Sequence, residues 1–362
     1  MKILHLYKDY FPVLGGIENY IRVLAEAQAG AGHQVTVLVC DPGHRTHVEV
    51  LNGVRVIKAG RLTTAASMPL SLSQPIFLAR LRPDIVHVHS PYPLGEAANW
   101  LLGRARVTVI THHSDVVRQR GWLRLYGPLL RRVLHAAGRV IATSPRYIET
   151  SPWLWPVREK CVVVPLGVDP VRFAPPTDRP TNQPTLLFAG RLRYYKGLDV
   201  LLHALFLLPG VQLVIVGDGP MGEEWKRLAD VLGLRDRVTF VGEVPDEDLP
   251  GYHHAADIFV LPANARAEAF GAVLLEAMAS GLPCVTTEVG TGTSWVVQDG
   301  VTGLVVSPRD PQALADAIQS LLDDPQRRVT MGHAARARVE AEFTMEQMIA
   351  RVQAVYEEAL GT

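Results

Sequence analysis

Two glutamates, Glu268 and Glu276, stand eight residues apart around the predicted start of a helix, just after an apolar run at 258–261. At a helix start the amides of Phe270, Gly271 and Ala272 have no helical partner, so they could bind an anion such as a phosphate. Glu268, before the helix, could accept hydrogen bonds from sugar hydroxyls. Glu276, about two turns later on roughly the same face, suits a pair of ribose hydroxyls. A capping glutamate and a surface glutamate are the plain alternatives.

Basic residues follow a second apolar run, at 185–189. The segment from Gly190 to Gly197 reads Gly-Arg-Leu-Arg-Tyr-Tyr-Lys-Gly and precedes a helical pattern. Arg191 and Lys196 would project near the helix N-terminus, where they could clamp a diphosphate. The segment is not a P-loop, because its lysine precedes Gly197 and no GxxxxGK[ST] occurs. Ordinary solvated basic residues are the alternative.

Two further glycine-rich turns follow strand-like runs. Gly15-Gly16 opens a helix after the first run, and Gly217 begins a Gly-Asp-Gly-Pro turn after the run at 211–216. Paired glycines let the backbone approach a ligand closely, and a helix N-terminus favours anions. The first turn does not match GxGxxG, so dinucleotide binding is not supported. An ordinary turn is an equally good interpretation of each.

Histidines are also candidates. His87 and His89 alternate on one strand-like run, but no acidic or cysteine side chain stands near them in sequence, so a metal pair is not expected. His113 follows the run at 107–111 and could bind a ligand, or could be a buried histidine whose hydrogen bonds are satisfied within the fold. The pair His253-His254 is interpreted as helix surface.

Alternating strands and helices must position these candidates. Short runs of Val, Ile and Leu followed by Gly, Pro or Ser are typical of parallel strands buried on both faces. Amphipathic patterns at 17–29, 198–208, 222–232 and 311–322 predict helices between them, and the alternation predicts doubly wound α/β sheets. The predicted strands are 2–7, 35–39, 84–89, 107–111, 139–143, 161–164, 185–189, 211–216, 238–241, 258–261, 284–287 and 304–306.

The two halves of the chain differ in charge. Residues 1–175 carry 21 basic and 11 acidic side chains, and residues 176–362 carry 15 and 25, so the zero net charge hides two opposite halves. Five prolines at 170–184 exclude a helix or central strand there. For 362 residues we therefore predict two domains, at 1–172 and 185–342, joined by a linker at 173–184.

Composition excludes several classes of protein. A hydrophobic content of 48% and a charged content of 20% indicate a globular chain rather than a disordered, collagen-like or coiled-coil one. The three cysteines form no CxxC, which favours free thiols in a reducing compartment. No run approaches the roughly 20 apolar residues of a membrane span, and the N-terminus is too short and polar for a signal peptide. We therefore expect a cytoplasmic location.

Taken together, the motifs resemble those of the retaining glycosyltransferases of family 4, and the resemblance extends from Gly15 to about Val306. The local sequence of these motifs is most similar to that of bacterial mannosyl- and rhamnosyl-type transferases. The resemblance implies the GT-B fold: two Rossmann-like, doubly wound parallel-sheet domains facing across a cleft, with a last helix at 343–362 packing back on the N-terminal domain. The motifs are Gly15-Gly16, Thr111-x-His113, Gly167-Val168-Asp169 with Phe173, Gly190-Arg191 with Lys196-Gly197, Gly217-Asp218-Gly219-Pro220, Glu268 with Glu276, and Gly303.

The resemblance also implies roles. Arg191 and Lys196 match the pair that binds the diphosphate of a nucleotide sugar, Glu276 matches the ribose ligand, and Glu268 matches the glutamate that contacts the transferred sugar. His113 matches a histidine of the N-terminal domain that contacts the same sugar, with His112 as the alternative. Further donor contacts are implied for Gly16, Gly190, Gly217, Phe270 and Gly271. Gly15 and Asp115 would lie on the acceptor side, although Asp115 could instead cap a helix.

In such a reaction the nucleoside diphosphate leaves the anomeric carbon through an oxocarbenium-like state, and charge on the departing phosphate must be stabilised. Arg191, Lys196 and two helix N-termini could do this without a metal, so no metal and no cofactor is expected. Asp246-Glu247-Asp248 is interpreted as surface, not as a metal motif. Because no dedicated nucleophile is apparent, the resemblance favours same-face attack by the acceptor, with a phosphate oxygen taking its proton.

The basic half offers a surface for a partner. Between 117 and 132 arginines alternate with Trp, Leu and Tyr, as in segments that bind anionic membranes. A helix with an apolar core side and solvated arginines is the alternative. No RNA- or DNA-binding module is present, so nucleic acid is not expected. The expected partners are a nucleotide-sugar donor, a glycan or lipid-linked acceptor, and the inner face of the plasma membrane.

Three functions fit these residues. The first is a retaining hexosyltransferase of cell-surface polysaccharide or glycolipid assembly, with GDP-mannose as the first choice of donor. The second is a GT-B nucleotide-sugar 2-epimerase, which would isomerise the donor without an acceptor. The third is a catalytically silent protein that binds a nucleotide sugar without turnover.

Overall fold

The computed structural model describes residues 1–13, 15–65, 68–116, 120–175 and 183–361. They form two compact units, one of Met1–Pro165 with Met348–Thr362 and one of Leu166–Gln347. The first unit thus ends seven residues before the predicted boundary at 172, and the chain rejoins it at Met348 rather than at 343. Most of the predicted linker, 176–182, lies outside the described residues.

The first unit contains an eight-stranded sheet in the order β10-β9-β8-β7-β1-β2-β4-β3, parallel except for β3, and a separate antiparallel pair of β5 and β6. Its strands are β1 (Lys2–Leu6), β2 (Gln34–Cys40), β3 (His47–Leu51), β4 (Val54–Ala59), β5 (Thr63–Ala65), β6 (Met68–Leu70), β7 (Ile85–Ser90), β8 (Val107–His112), β9 (Arg139–Ala142) and β10 (Cys161–Val163). Its helices are α1 (Gly16–Gly30), α2 (Ser73–Arg80), α3 (Pro93–Leu102), α4 (Arg120–Ala136) and α5 (Pro145–Thr150), with a 3-10 helix at Trp155–Lys160.

The second unit contains a six-stranded, all-parallel sheet in the order β13-β12-β11-β14-β15-β16. Its strands are β11 (Thr185–Ala189), β12 (Gln212–Val216), β13 (Val238–Gly242), β14 (Ile258–Leu261), β15 (Cys284–Thr287) and β16 (Gly303–Val306). Its helices are α6 (Leu198–Phe206), α7 (Gly222–Val231), α8 (Leu249–His254), α9 (Ala272–Ala279), α10 (Thr293–Val296), α11 (Pro311–Leu322) and α12 (Pro325–Glu342), with 3-10 turns at Tyr194–Lys196 and Arg235–Arg237.

The last helix, α13 (Met345–Leu360), contributes to the core of the first unit. Tyr356 is fully buried, and its hydroxyl lies 2.6 Å from Nδ1 of His87 on β7. Both sheets are covered on both faces: every residue of β14 and of β7 is buried, including His87 and His89. Strands of this kind need helices on each side, which is why the chain alternates between the two elements. Among the described residues no helix is long and apolar enough to cross a membrane.

The predicted α/β class is confirmed, and each of the twelve predicted strands is present to within one residue at each end. The antiparallel arm of β3 and β4 was not predicted. Asn52 and Gly53, which join them, have φ values of +48° and +81°. An Asn-Gly pair with positive φ at both positions is typical of a tight hairpin turn, so the sequence did carry a signal for this arm.

Candidate active site

The loops that follow β11 and β12 lie side by side at the carboxyl edge of the second sheet. The amide of Gly190 donates to the carbonyl oxygen of Val216, and that of Leu192 to the carbonyl oxygen of Asp218, both at 2.9 Å. Gly217 has a φ of +117°, and a Cβ at this position would collide with the carbonyl group of Gly190. The close approach of the two loops therefore requires glycine at 217. This edge is where doubly wound sheets bind their ligands.

Lys196 is buried immediately before helix α6. It ends the 3-10 turn at Tyr194–Lys196, and Gly197, with a φ of +71°, redirects the chain into the helix. A Cβ at Gly197 would collide with the carbonyl oxygen of Pro262, which follows β14. The turn that carries Lys196 is thereby held against the carboxyl end of β14. The segment that leads from β14 to Glu268 begins at this same point.

Lys196 and Glu268 form a buried ion pair. Nζ of Lys196 lies 2.9 Å from Oε2 of Glu268, and the two side chains are only 9% and 12% exposed. Burial lowers the pKa of Lys196, but the charge and hydrogen bond of Glu268 outweigh it, so this pKa is raised and the lysine stays charged. The other carboxylate oxygen, Oε1, accepts a hydrogen bond from the amide of Gly271 (3.1 Å).

That hydrogen bond corrects the expectation that the amide of Gly271 is free for a phosphate. Gly271 is the N-cap residue of α9, and its amide already has the Glu268 carboxylate as an anionic partner. Glu268 thus satisfies an amide at the helix start and also forms an ion pair with Lys196. Since a carboxylate has about four acceptor positions, both oxygens retain capacity for a further hydrogen bond.

The loop after β15 fixes the segment that carries Glu268. The buried hydroxyl of Thr291 donates to the carbonyl oxygen of Glu268 (2.7 Å), and the amide of Gly292 donates to that of Ala269 (2.8 Å). Nη1 of Arg266 donates to the carbonyl oxygen of Gly290 (2.6 Å). We did not predict this loop from sequence. Its signal was the Gly-Thr-Gly-Thr run that follows a buried strand at the same sheet edge.

Glu276 lies on α9 in a partly closed environment. Its side chain is 26% exposed, and within the described parts of the chain its Oε2 has no hydrogen-bond partner. Burial raises the pKa of Glu276 to about 7; the charges of Arg172 and Lys196 lower it and that of Asp246 raises it. A carboxyl in this state can bind a ligand hydroxyl without first breaking an internal hydrogen bond.

His253 faces this carboxyl, which corrects its assignment to a helix surface. Its Nε2 lies 3.9 Å from Oε2 of Glu276, and the ring is fully buried. It packs edge-on to Phe173 and stacks on Phe259, at centroid distances of 5.5 and 5.7 Å. Burial lowers the pKa of His253 to about 3, so the ring is neutral. His254, its neighbour, is partly exposed.

Arg191 and Phe270 occupy opposite kinds of environment. Arg191 is exposed, and its side chain makes no ion pair or hydrogen bond with the residues that the structure describes. Phe270 is buried and packs near Trp295 and Phe343, each at a centroid distance of 6.4 Å. Phe270 is thus part of the core, and only its backbone remains a candidate for ligand contact.

The first unit places Gly15 and Gly16 at the start of α1. Gly15 is the N-cap, Gly16 is exposed, and a Cβ on Gly16 would meet no atom within 4 Å. The carboxylate of Glu18, in the first turn, lies close over Gly15. An acidic side chain is favourable at a helix N-terminus, so an anionic ligand at these glycines would meet a like charge.

A row of histidines runs through the same unit, because β1, β7 and β8 are neighbouring strands. Nδ1 of His5 lies 3.1 Å from Nε2 of His89, and Nδ1 of His89 lies 3.1 Å from Nε2 of His113. At the inner end Nε2 of His5 lies 2.8 Å from Oε1 of Gln28 on α1. The ring of Tyr20 packs edge-on to His113 at 5.2 Å. The sequence suggested His113 and the pair on β7 but not this connection.

His5, His87 and His89 also meet the geometric requirement for a metal group, since one nitrogen of each lies within 4.8 Å of the others. All of their nitrogens already have hydrogen-bond partners, however: those of His87 are the hydroxyls of Tyr356 and Thr111, both at 2.6 Å. A metal ion would have to displace these bonds.

Asp115 belongs to a separate hydrogen-bonded group. Its Oδ1 lies 3.1 Å from Nε2 of His112 and accepts a hydrogen bond from the hydroxyl of Ser151 (2.8 Å), and its amide donates to the hydroxyl of Tyr147. His112 therefore points to Asp115, whereas His113 belongs to the histidine row. This separates the two neighbouring candidates, and Asp115 is held in place by buried contacts.

Helix α4 contains most of the basic segment at 117–132, and one side of the helix is buried. Tyr126 and Leu130 are buried, and the Tyr126 hydroxyl donates to Oε2 of Glu96 (2.6 Å). Arg124 and Arg132 are exposed. Residues 117–119 and several side chains of the first turns lie outside the described part, so the membrane hypothesis for this segment stays a prediction.

Comparison with known protein families gives two matches. A model described as "Glycosyltransferase Family 4" matches residues 14–172, and one described as "Glycosyl transferases group 1" matches residues 172–338. Among curated proteins, the chain is 38% identical over 360 residues to "D-rhamnosyltransferase WbpZ" of Pseudomonas aeruginosa, covering 95% of this chain and 92% of that one. It is 35% identical over 360 residues to "O-antigen chain mannosyltransferase C" of Escherichia coli, covering 96% of each.

Among solved structures, the chain is similar to the sucrose-phosphate synthase of Thermosynechococcus elongatus. The TM-score is 0.83 at 27% sequence identity, and the match covers 99% of both chains. The similarity therefore extends over both units and is not confined to one sheet.

Proposed function

The chain belongs to glycosyltransferase family 4, whose members have the GT-B fold, and we propose that it is a retaining hexosyltransferase that uses a nucleotide-sugar donor. The observation that carries this proposal is the buried Lys196–Glu268 ion pair, with Arg191, exposed and unpaired among the described residues, on the same loop as the lysine. A fixed ammonium and a free guanidinium at the carboxyl edge of a parallel sheet suit a diphosphate.

Lys196 and Arg191 would stabilise the charge that develops on the departing phosphate. The ammonium of Lys196 has three donors, and among the described residues Glu268 alone accepts from it, so two are left for phosphate oxygens. Because the ion pair already fixes its position, little reorganisation is needed when the charge develops. Arg191, which pairs with none of the residues that the structure describes, adds a second cation when the donor binds. The backbone at Gly190 and Gly217 would pass close to the donor.

Glu268 and Glu276 would hold the two sugars of the donor. The carboxylate of Glu268, fixed by Lys196 and the Gly271 amide, would accept hydroxyls of the transferred sugar. Glu276 would accept the ribose hydroxyls, one of which would supply the hydrogen-bond partner that Oε2 lacks in the described part of the chain. His113 would contact the transferred sugar from the first unit, with Gly16 near the phosphate, and Gly15 and Asp115 on the acceptor side.

The proposed step forms the new glycosidic bond on the face that the phosphate leaves. The bond between the anomeric carbon and the phosphate oxygen breaks, and an acceptor oxygen bonds to the same carbon. The acceptor's proton passes to a phosphate oxygen, which leaves as the nucleoside diphosphate. The acceptor oxygen is the nucleophile, so this route needs no nucleophilic side chain of the enzyme. Lys196 and Arg191 supply the positive charge that a metal would otherwise provide.

The relatives support a hexose donor. One is named as a mannosyltransferase of the O-antigen chain and the other as a D-rhamnosyltransferase. GDP-mannose is our first choice of donor, with a glycan or lipid-linked acceptor of cell-surface polysaccharide assembly. We place the enzyme in the cytoplasm, in peripheral contact with the inner face of the plasma membrane through its basic N-terminal half.

The test is a panel of nucleotide sugars incubated with and without acceptor glycans, followed by nucleoside diphosphate release and by NMR of the product's anomeric centre. We expect acceptor-dependent release and retention of the donor's anomeric configuration. Isomerisation of the donor without an acceptor would indicate a 2-epimerase instead. Binding without turnover across the panel would indicate a silent binding protein, and an inverted product would refute the retaining mechanism.

A further inference from the structure

The histidine row of the first unit is a directional chain of hydrogen bonds that ends at His113. It runs from Oε1 of Gln28 through His5 and His89 to Nε2 of His113, with contacts of 2.8, 3.1 and 3.1 Å. All four side chains are buried. Among the described residues, Nδ1 of His113 has no hydrogen-bond partner. The chain thus ends on a ring nitrogen that remains available to a ligand.

Each imidazole in the row is neutral. Burial lowers the pKa of His5 to about 4, against a smaller raising effect of its hydrogen bond with Gln28. Burial and then the neighbouring His112 lower the pKa of His113 to about 3, and burial and three neighbouring histidines place that of His89 well below its usual value. A neutral imidazole has one N–H and one acceptor nitrogen, so fixing one nitrogen fixes the other.

The amide oxygen of Gln28 sets the direction of the whole chain. Because this oxygen can only accept, Nε2 of His5 must carry its proton, which leaves Nδ1 of His5 as an acceptor. Nε2 of His89 must then donate to it, and Nε2 of His113 must in turn donate to Nδ1 of His89. Nδ1 of His113 is left without a proton.

We propose that Gln28 is a positioning residue which, through His5 and His89, fixes the tautomer of His113 so that its Nδ1 accepts a hydrogen bond from a hydroxyl of the bound sugar. This inference rests on the proposed function for the identity of the ligand, but the tautomer itself is a property of the free protein. Gln28 acts at a distance of two side chains and touches no substrate.

The experiment is long-range ¹H–¹⁵N correlation NMR of the full chain labelled in its histidines, combined with donor kinetics. In the wild type we expect the ¹⁵N chemical shift of His113 Nδ1 to be that of an unprotonated imidazole nitrogen. The shift of its Nε2 should be that of a protonated one. Gln28→Met removes the acceptor, so both nitrogens of His113 should move towards averaged values, and kcat/KM for the donor should fall roughly two- to tenfold.

Gln74→Met is the matched control. Gln74 is a buried glutamine of the same unit whose amide contacts the Tyr7 carbonyl oxygen and the Tyr92 hydroxyl but no histidine. Its loss should alter stability without moving the His113 nitrogen shifts, which separates positioning from a general packing effect. The wild-type spectrum decides the tautomer even where Gln28→Met does not fold.

Protonated Nδ1 of His113 in the wild type would overturn the inference, since a rotated Gln28 amide would reverse every bond in the chain. Equal His113 shifts in the wild type and Gln28→Met would also overturn it, as would stoichiometric zinc held by the row. Absence of turnover with every nucleotide sugar, together with the expected shifts, would refute the proposed function and leave the tautomer assignment standing.

Discussion

Nζ of Lys196 lies 2.9 Å from Oε2 of Glu268, although 72 residues separate them in sequence. One precedes helix α6 after β11 and the other precedes α9 after β14, and these strands are neighbours in the sheet. The pair therefore exists because parallel strands bring their carboxyl ends to one edge. The ammonium and the carboxylate thus fix each other before any ligand binds. In the proposed function they are the cation for the leaving group and the carboxylate for the transferred sugar.

Replacing Lys196 with alanine should remove most of the activity. A charge-assisted contact to a diphosphate is worth about 1.5–3 kcal/mol, so kcat/KM should fall by about 10- to 150-fold. Glu268 would also lose its buried partner, so the free energy of unfolding should fall. Steady-state kinetics and urea titrations measure the two effects. Lys226→Ala, which breaks the exposed pair with Glu223, is the control, and turnover unchanged in Lys196→Ala would refute the site.

Arg191→Ala should separate binding from stability. Since Arg191 is exposed and pairs with no described residue, its loss should leave the melting temperature unchanged. If the guanidinium binds the diphosphate only when the donor is present, the KM for the donor should rise by about tenfold. Arg227→Ala, which removes another exposed arginine of the second unit, should change neither quantity. An unchanged KM would exclude Arg191 from the donor site.

The pH dependence of stability should report on Glu276. Its pKa is about 7 in the folded state, against the ordinary value of 4.5, so the folded state holds this proton more tightly than the unfolded state. The contribution of the protonated carboxyl is fully present below about pH 4.5 and is lost as pH rises through 7. It amounts to at most about 3 kcal/mol, because the side chain is partly solvated.

Urea unfolding of the wild type and of Glu276→Gln between pH 5 and 8 measures this term. The glutamine cannot titrate, so the free energy of unfolding of the variant should fall less between pH 5 and 8. Relative to the wild type, the variant should therefore be more stable at pH 8 than it is at pH 5. Glu223→Gln, at an exposed position of α7, should follow the wild type throughout. Parallel curves for the wild type and Glu276→Gln would show that Glu276 titrates normally.

The strands could be predicted from sequence because burial on both faces leaves a continuous apolar run. The environment of an individual side chain could not be predicted in this way, because it depends on residues that are distant in sequence. His253 is buried since Phe173 and Phe259 pack on it, and the Gly271 amide is occupied since Glu268 turns back to it. The histidine row depends on the register that sets His5 beside His87, which no local pattern reveals.

Gly197→Ala should destabilise the second unit by more than the cost of placing an alanine at a positive φ, because its Cβ would also collide with a neighbouring group. Gly197 and Gly210 both have positive φ, +71° and +77°, but only at Gly197 would a Cβ collide with a neighbouring carbonyl oxygen. Gly210→Ala should therefore cost about 1 kcal/mol from the backbone, and Gly197→Ala clearly more, about 2–4 kcal/mol. Urea denaturation compares them. Equal losses would show that the loop of Lys196 can relax away from Pro262.

The basic N-terminal half should bind anionic membranes by electrostatic attraction. Sedimentation with vesicles of phosphatidylglycerol and phosphatidylcholine should recover more protein than sedimentation with phosphatidylcholine alone, and the difference should shrink as salt rises from about 0.05 to 0.5 M because the charges are screened. Arg124→Ala with Arg132→Ala, at exposed positions of α4, should reduce binding, whereas Arg227→Ala should not. Equal recovery with neutral and anionic vesicles would refute the membrane contact, since a purely structural α4 gives no preference for charge.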